Sequence, residues 1–549
     1  MTDSERLKKY IVWEPLLLAA MVALGMIVGS QMKFYSPEEK EEVLPRLRTS
    51  GEVEELLRFI EAKYVEDVDG HELTRKAIDA ILNELDPHSQ YLSPRLREEL
   101  DSEMNGEYIG IGLEKIRVGD SLYVVSVSQG SPASEAGIEP GDRIIRILDS
   151  INVDSTILGD SLSFLIRGDK GTKIALTLER SGGDTFNVDL TREIIPLPAI
   201  DLSVMLNDSV GYIKVNRFSN DIYKNFMQRV EALAEEGLDD LIVDLRGNPG
   251  GYLQEAVKIL SQLIEKKESL LVYTEGANSK RTEYKSTGRR FYEIDDIVVL
   301  TDAGSASASE IMAGALQDLD RGLIVGRRTF GKGLVQEQYQ LNNGGALRLT
   351  TAKYFTPSGR LIQRDYSDMS SYQQDMINRD LSGENRNEEL MPIEDSTEHY
   401  TTSGRIVYGG GGIIPDIFIA KNNPFSAADW PSIEYQIQAW TVRHLDLFKT
   451  GSQTVDGFVE RFELNRDELN ELIDHLMEEV PVSDLNTIAA ENYVSKVAKA
   501  YIGKMKFNEM AVFHKVMNRQ DPVIEEALGL IEENKISTLL AETHAISRE

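Results

Sequence analysis

The fold class follows from Val299-Leu300-Thr301-Asp302-Ala303-Gly304-Ser305-Ala306-Ser307-Ala308-Ser309-Glu310. An aliphatic run, apolar on both faces if extended, feeds a turn of small residues, and a helix-forming segment follows. That order belongs to an α/β core with buried strands. Small residues at such a turn let one side chain stand clear while a substrate backbone approaches. The free N–H groups of the helix start can face a developing oxyanion. Ser305, Ser307 and Ser309 compete for the role of nucleophile. Helix capping by serine is the competing explanation.

The same alternation extends on both sides of this stretch, from Pro196 to about Asn423. Val210–Val215, Leu241–Asp244, Ile297–Leu300, Leu323–Val325 and Ala346–Tyr354 read as strands. Tyr223–Glu236, Leu253–Glu265 and Ser307–Leu319 read as helices. Leu241-Ile242-Val243-Asp244-Leu245-Arg246-Gly247-Asn248-Pro249-Gly250-Gly251 ends a strand in a glycine-rich turn, where backbone N–H groups can complete an oxyanion hole. An ordinary strand–turn–helix connection has the same appearance. Arg328-Thr329-Phe330-Gly331-Lys332-Gly333-Leu334-Val335-Gln336 sets a lysine between glycines. The phosphate-binding pattern G-x-x-x-x-G-K-[ST] is not met. Lys332 is either a solvated loop residue or a general base whose pKa burial lowers, as in Ser–Lys pairs. Asp318 reads as a surface helix residue, and residues 365–403 as a long polar surface loop or lid within a core spanning 193–423.

Upstream, helical spacing of Val53, Leu56, Leu57 and Ile60, then of Leu73, Ala77, Ile78, Ile81, Leu82 and Leu85, gives a helical segment over 51–104. His88, after Asp86-Pro87, reads as structural. Residues 105–192 form a small α+β module of short strands, among them Ile109–Ile116, Leu122–Val127, Arg143–Ile147, Lys173–Leu178 and Phe186–Leu190. Helices fit at Ser131–Ala136 and Leu158–Ile166. Residues 424–549 turn helical, and one helix there starts at Asn465 with Glu468 completing a capping box.

The amino terminus comprises a basic, cytoplasmic segment 1–10, an apolar segment 11–29 and a polar linker 30–50. From Ile11 to Val28 the apolar stretch is 18 residues, about 27 Å as a helix, against a hydrocarbon core of about 30 Å. It is either an uncleaved inner-membrane anchor, with the rest facing the periplasm, or a secretory signal cut near Gly29-Ser30. Both place the remaining chain in the cell envelope or outside the cytoplasm.

Composition narrows the functional classes. The 549 residues are 41% hydrophobic and 27% charged, enough for packed cores. A net charge of −32 argues against a nucleic-acid surface. Cysteine is absent, which removes disulfides, thiolate metal sites and a cysteine nucleophile. The seven histidines form no metal-ligand spacing, so no metal site is expected.

Taken together, these stretches resemble the carboxyl-terminal processing peptidases, or tail-specific proteases, over roughly residues 51–423. The marks are Leu85-Asp86-Pro87-His88-Ser89 with Tyr91-Leu92, Gly110-Ile111-Gly112, the segments Asp244–Gly251, Gly304–Glu310 and Thr329–Gln336, and Gly409–Asp416. The resemblance implies a crotonase-like α/β serine peptidase core behind a PDZ domain, and no cofactor. It makes Ser307 the nucleophile, Lys332 the base and Gln336 the residue that orients the lysine. It implies oxyanion donors from Ala308 and from Gly250 and Gly251. The PDZ domain would bind peptide along Ile109, Gly110, Ile111 and Gly112, with Arg167 as a sensing residue, and capture free protein C-termini. Residues 424–549 fall outside the resemblance, and a homo-oligomer or adaptor surface is the default expectation there.

Overall fold

The structure is a computed structural model that describes residues 51–148, 151–153, 165–448, 454–482, 485 and 487–541. The expected anchor or signal at 11–29 therefore lies outside the described residues, as does most of the helix expected at 158–166. Among the described residues no helix is long and apolar enough to cross a membrane.

The chain divides between Ala77 and Ile78 into two units. In the first, helix α1 (Glu52–Lys63) has no buried residue, and Val53, Leu56 and Phe59 are exposed. Helix α2 (Gly70–Asn83) begins there and ends in the second unit.

The second unit opens with strand β1 (Gln90–Leu92) and helix α3 (Pro94–Met104). The strand is a correction to an all-helical 51–104. It pairs antiparallel with residues 346–348, which carries the Asp86–Ser89 turn to the core. Strand β2 (Glu107–Gly110) follows. Strands β3 (Leu113–Val118), β4 (Ser121–Val127), β5 (Arg143–Ile147), β6 (Ile151–Asn152), β7 (Lys173–Glu179) and β8 (Thr185–Thr191) form one sheet, with β3 at its edge. The single strand expected over Ile109–Ile116 is two. Gly112 takes a φ of +82°, and β2 leaves the sheet to pair with β9 (Glu193–Pro196).

The core sheet runs β10 (Ile200–Met205), β11 (Val210–Val215), β12 (Asp240–Asp244), then the strands at Ile297–Thr301, Leu323–Gly326 and Ile417–Phe418. All neighbours are parallel except β10 and β11. Alternate residues of these strands face opposite layers. Leu241, Val243, Ile297 and Val299 pack against helices α4 (Ile222–Glu236) and α5 (Leu253–Leu263), and against a helix at Ala308–Asp318. Ile242, Val298 and Leu300 face Val523, Ile524 and Ala527 of the carboxyl-terminal region. A second sheet contains β13 (Leu270–Glu275), β14 (Thr282–Lys285), β17 (Leu334–Gln340) and β18 (Ala346–Phe355), with β1 on its edge. In chain order Ile297–Thr301 is β15, Ala308–Asp318 is α6 and Leu323–Gly326 is β16.

Two further expectations change. Asp318 is buried, not a surface residue, because Arg360 neutralises it at 2.8 Å. Residues 365–403 contain helices α7 (Met369–Gln373) and α8 (Asp375–Ser382) and the first strand, Asp395–Tyr400, of a hairpin that closes with Ile406–Gly409. Part of the segment's charge is drawn into an ionic cluster, where Arg328 of the core pairs with Glu384 at 2.7 Å and Arg379 with Asp375 at 2.8 Å, while Glu388, Glu389 and Glu398 are exposed.

Beyond the core come α9 (Trp430–Phe448), α10 (Val455–Arg461), α11 (Arg466–Glu479), α12 (Ile488–Phe507), α13 (Met510–Asn518), α14 (Pro522–Glu532) and α15 (Ile536–Ala541). Asn465 and Glu468 form the capping box at the start of α11. Ala439, Val442, Leu445 and Met505 of these helices pack on Ile116 and Val125 of the β3–β4 hairpin.

Candidate active site

Three serines compete in the sequence, and the hydrogen bonds separate them. Strand β15 is wholly buried and delivers the chain to a turn that starts α6. Ser305 Oγ donates to the Leu245 carbonyl at 2.8 Å, and Ser309 Oγ to the Asn248 carbonyl at 3.0 Å. Both hydroxyls are spent on fixing this turn to the neighbouring one. Ser307 instead stands at the helix start with φ +55° and ψ −112°, its hydroxyl facing the buried Tyr354 phenol. That backbone conformation is costly for a residue with a Cβ and persists only where neighbours enforce it.

Glu310 enforces it. Its carboxylate is completely buried and accepts from Ser307 N at 2.8 Å, Lys332 N at 2.8 Å, Gly331 N at 2.6 Å and Thr329 Oγ1 at 2.6 Å. Burial pushes this carboxyl up, and those four donors pull it back. The Ser307 and Lys332 amides share one oxygen, Oε2, so their nitrogens are no farther apart than twice 2.8 Å. The carboxylate thus brings the two loops together although 25 residues separate Ser307 and Lys332 in sequence.

Lys332 Nζ donates to Gln336 Oε1 at 3.2 Å, and Gln336 Nε2 donates to the His88 carbonyl at 2.7 Å. Burial pushes the Lys332 ammonium below the usual lysine range, helped by the Arg348 charge and opposed by Glu310 and Asp86. His88 is pushed down to about 4 by burial and the Lys332 charge, and its Nε2 contacts Tyr372 Oη at 2.7 Å. Burial works against the Asp86 carboxylate, but donors from Ser89, His88 and Thr350 hold it below its ordinary value. This turn is therefore stitched to β18, and the His88 carbonyl is a fixed acceptor.

The Gly247–Gly251 turn meets Ser307 from the other side. Asn248 locks it: Nδ2 donates to the Val215 carbonyl at 2.9 Å, and Oδ1 accepts from Gly250 N at 2.8 Å. This corrects the expected oxyanion set. The Gly250 N–H is already engaged, whereas the Ala308 and Gly251 N–H groups have no protein partner among the described residues. Gly250 matters through its missing side chain. A Cβ there would stand 2.6 Å from Ala306 O, 2.7 Å from Ser307 Cβ and 2.9 Å from Ala308 N.

Comparison with known proteins bears on this arrangement directly. The sequence profile of peptidase family S41 matches residues 209–368, and that of the PDZ domain matches residues 123–180. Residues 209–368 are a peptidase family S41 domain. The chain is 33% identical to a probable CtpA-like serine protease of Staphylococcus aureus (strain N315) over 316 residues, 57% of this chain and 62% of that one. It is 29% identical to a probable CtpA-like serine protease of Staphylococcus saprophyticus over 353 residues, 63% of this chain and 69% of that one. The chain thus spans 62% of the first relative's length. Among solved structures, a photosystem II D1 C-terminal processing protease is 29% identical and covers 56% of this chain and 82% of its own, with a TM-score of 0.34.

The PDZ domain lies beside the S41 domain across a groove of about 780 Å³. Gly110–Lys115 and Arg167 line it from the PDZ domain, and Gly247 and Pro249 from the S41 domain. β3 is an edge strand of the PDZ sheet. Ile109 and Gly110, expected to line the peptide-binding edge, are instead paired with β9. Ile111 and Gly112 form the bend before β3. Arg167 lies over the Tyr108 ring at 5.7 Å, on the groove wall.

Glu310, Asn248, Tyr354 and the His88 carbonyl were not singled out by sequence. Only Glu310 carried a signal: it stands three residues after Ser307, the spacing of a capping box.

Proposed function

We propose that this chain is a serine endopeptidase that cleaves exported proteins at or near their C-termini, using Ser307 and Lys332 as a catalytic dyad. The observation that carries the proposal is the Glu310 clamp, which holds Ser307 and Lys332 side by side while Ser305 and Ser309 are spent on carbonyls. Neutral Lys332 takes the Ser307 Oγ proton as Oγ attacks the scissile carbonyl carbon. The oxyanion accepts from the Ala308 and Gly251 N–H groups. On collapse the Lys332 ammonium returns its proton to the leaving amine, and the acyl group stays on Ser307. Water, deprotonated by Lys332, then attacks the acyl carbon, and the ammonium returns the proton to Ser307 Oγ as the acid product leaves. Gln336 keeps the amine aimed, and the His88 carbonyl keeps Gln336 aimed.

Substrate would add as a strand along β3, with its terminal carboxylate at the Ile111-Gly112 bend near Lys115 and Arg167. The groove between the two domains leads from there toward the Gly247–Gly251 turn. Residues 11–29, as an anchor or signal, would set the domains in the cell envelope.

A serine-reactive fluorophosphonate tests the assignment. The wild-type chain is expected to be labelled on Ser307 and to cleave peptides, and Ser307→Ala to do neither while keeping its fold. Labelling of another serine, or cleavage retained by the alanine variant, would overturn it.

A further inference from the structure

The turn opposite Ser307 contains Gly247, Gly250 and Gly251, all at positive φ, and the side chains of Asn248, Asp302, Ser305 and Ser309 hold it. Its lead-in residue, Arg246, is likewise well held. The Arg246 amide donates to Asp244 Oδ1 at 2.9 Å, its carbonyl accepts from Lys214 Nζ, and its Nε and Nη2 grip the Asp244 carboxylate at 3.0 and 2.6 Å. The remaining arm, Nη1, forms a bidentate contact at 3.1 and 2.9 Å with Asp521, which lies 275 residues away in the carboxyl-terminal region.

Charge balance depends on that distant residue. Arg246, half-buried, and Lys214, buried, are two cations, and Asp244 supplies one buried carboxylate. Asp521 supplies the second. Asp521 is itself immobilised. It caps α14, accepting from Val523 N at 2.9 Å and Ile524 N at 3.2 Å, and α14 is packed on the core sheet through Val523, Ile524, Ala527, Leu530 and Ile531.

We propose that Asp521 is a positioning residue for the candidate active site, acting through Arg246 to hold the Gly247–Gly251 turn, so that the carboxyl-terminal region is part of the S41 machinery. The inference rests on the proposed peptidase function. Asp521 lies outside the segment matched to family S41.

The test uses the full chain carrying Asp521→Asn, because asparagine caps a helix as well as aspartate but lacks the charge. On a short peptide substrate, kcat is expected to fall about 10-fold or more, with KM within about twofold, since small displacements of an oxyanion turn act on the transition state. Asp521→Glu should recover part of kcat. Hydrogen exchange supplies a readout independent of turnover: amides in 247–251 should exchange faster in Asp521→Asn while those of α14 keep their protection. Unchanged exchange in the turn, unchanged kcat, or loss of α14 protection would each overturn the proposal. Absence of Ser307-dependent turnover in the wild type would sink the peptidase reading instead, leaving the exchange result to decide whether Asp521 holds the turn.

Discussion

Substituting Gly250 by alanine probes the contact between the glycine turn and Ser307. The new Cβ would lie 2.7 Å from Ser307 Cβ, where carbon atoms ordinarily rest about 3.5 Å apart or more, an overlap of about 0.8 Å. Its other close neighbours, Ala306 O and Ala308 N, are backbone atoms of the same turn, so no side chain can swing aside. At φ +96° the residue also adds left-handed strain of about 1–2 kcal/mol. With about 1–3 kcal/mol for overpacking, the variant should lose about 2–5 kcal/mol of stability. The strain is relieved by moving Ser307 and the Ala308 N–H, so kcat should fall about 100-fold, the usual cost of an ångström of misplacement. Peptide turnover is measured well below the melting temperature, with circular dichroism to verify folding. Gly119→Ala is the control: its φ is +57° and nothing lies within 4 Å, so it carries the strain without the overlap and should keep full activity. A folded Gly250→Ala chain with kcat within about threefold of wild type would refute the contact argument.

Activity should rise with pH through the lowered Lys332 pKa, because the neutral amine is the base, and should be indifferent to chelators. Lys332→Arg should be as inactive as Lys332→Met, since guanidinium cannot give up its proton; rescue by arginine would contradict the base role. The lowered folded value means the unfolded chain binds the proton more tightly, so this residue makes stability rise with pH between the two values. Lys332→Met should therefore raise the melting temperature at neutral pH, as calorimetry would show. Gln336→Glu adds a negative charge beside Lys332 and faces a carboxylate to the His88 carbonyl, so the pH–rate curve should move to higher pH; an unmoved curve would mean Gln336 does not contact the working amine. The Ser307→Ala chain should bind a peptide with a free C-terminus about 10- to 100-fold tighter than its amide, from roughly 1.5–3 kcal/mol for a charge-assisted hydrogen bond. Equal affinities by calorimetry would remove C-terminal recognition.

Local pattern alone carried much of this protein. Val210–Val215 and Arg143–Ile147 are read from sequence to the residue, and so are Asn465 and Glu468 of the capping box, because each depends on neighbours within a few positions. The three loop stretches were equally legible, since glycine and small residues announce turns whatever packs on them. Tertiary structure decided the rest. In physical terms Ser305 and Ser309 are set apart from Ser307 by carbonyls 60 and 61 residues away. The Gly250 amide looks as free as that of Gly251 until Asn248 turns back on it. The 365–403 segment looked like a solvated loop because its charges are visible in sequence and their partners are not. Gln336 and the His88 carbonyl lie 248 residues apart, Arg246 and Asp521 275. Burial and hydrogen bonding at such separations depend on how whole layers pack, and no local periodicity encodes that.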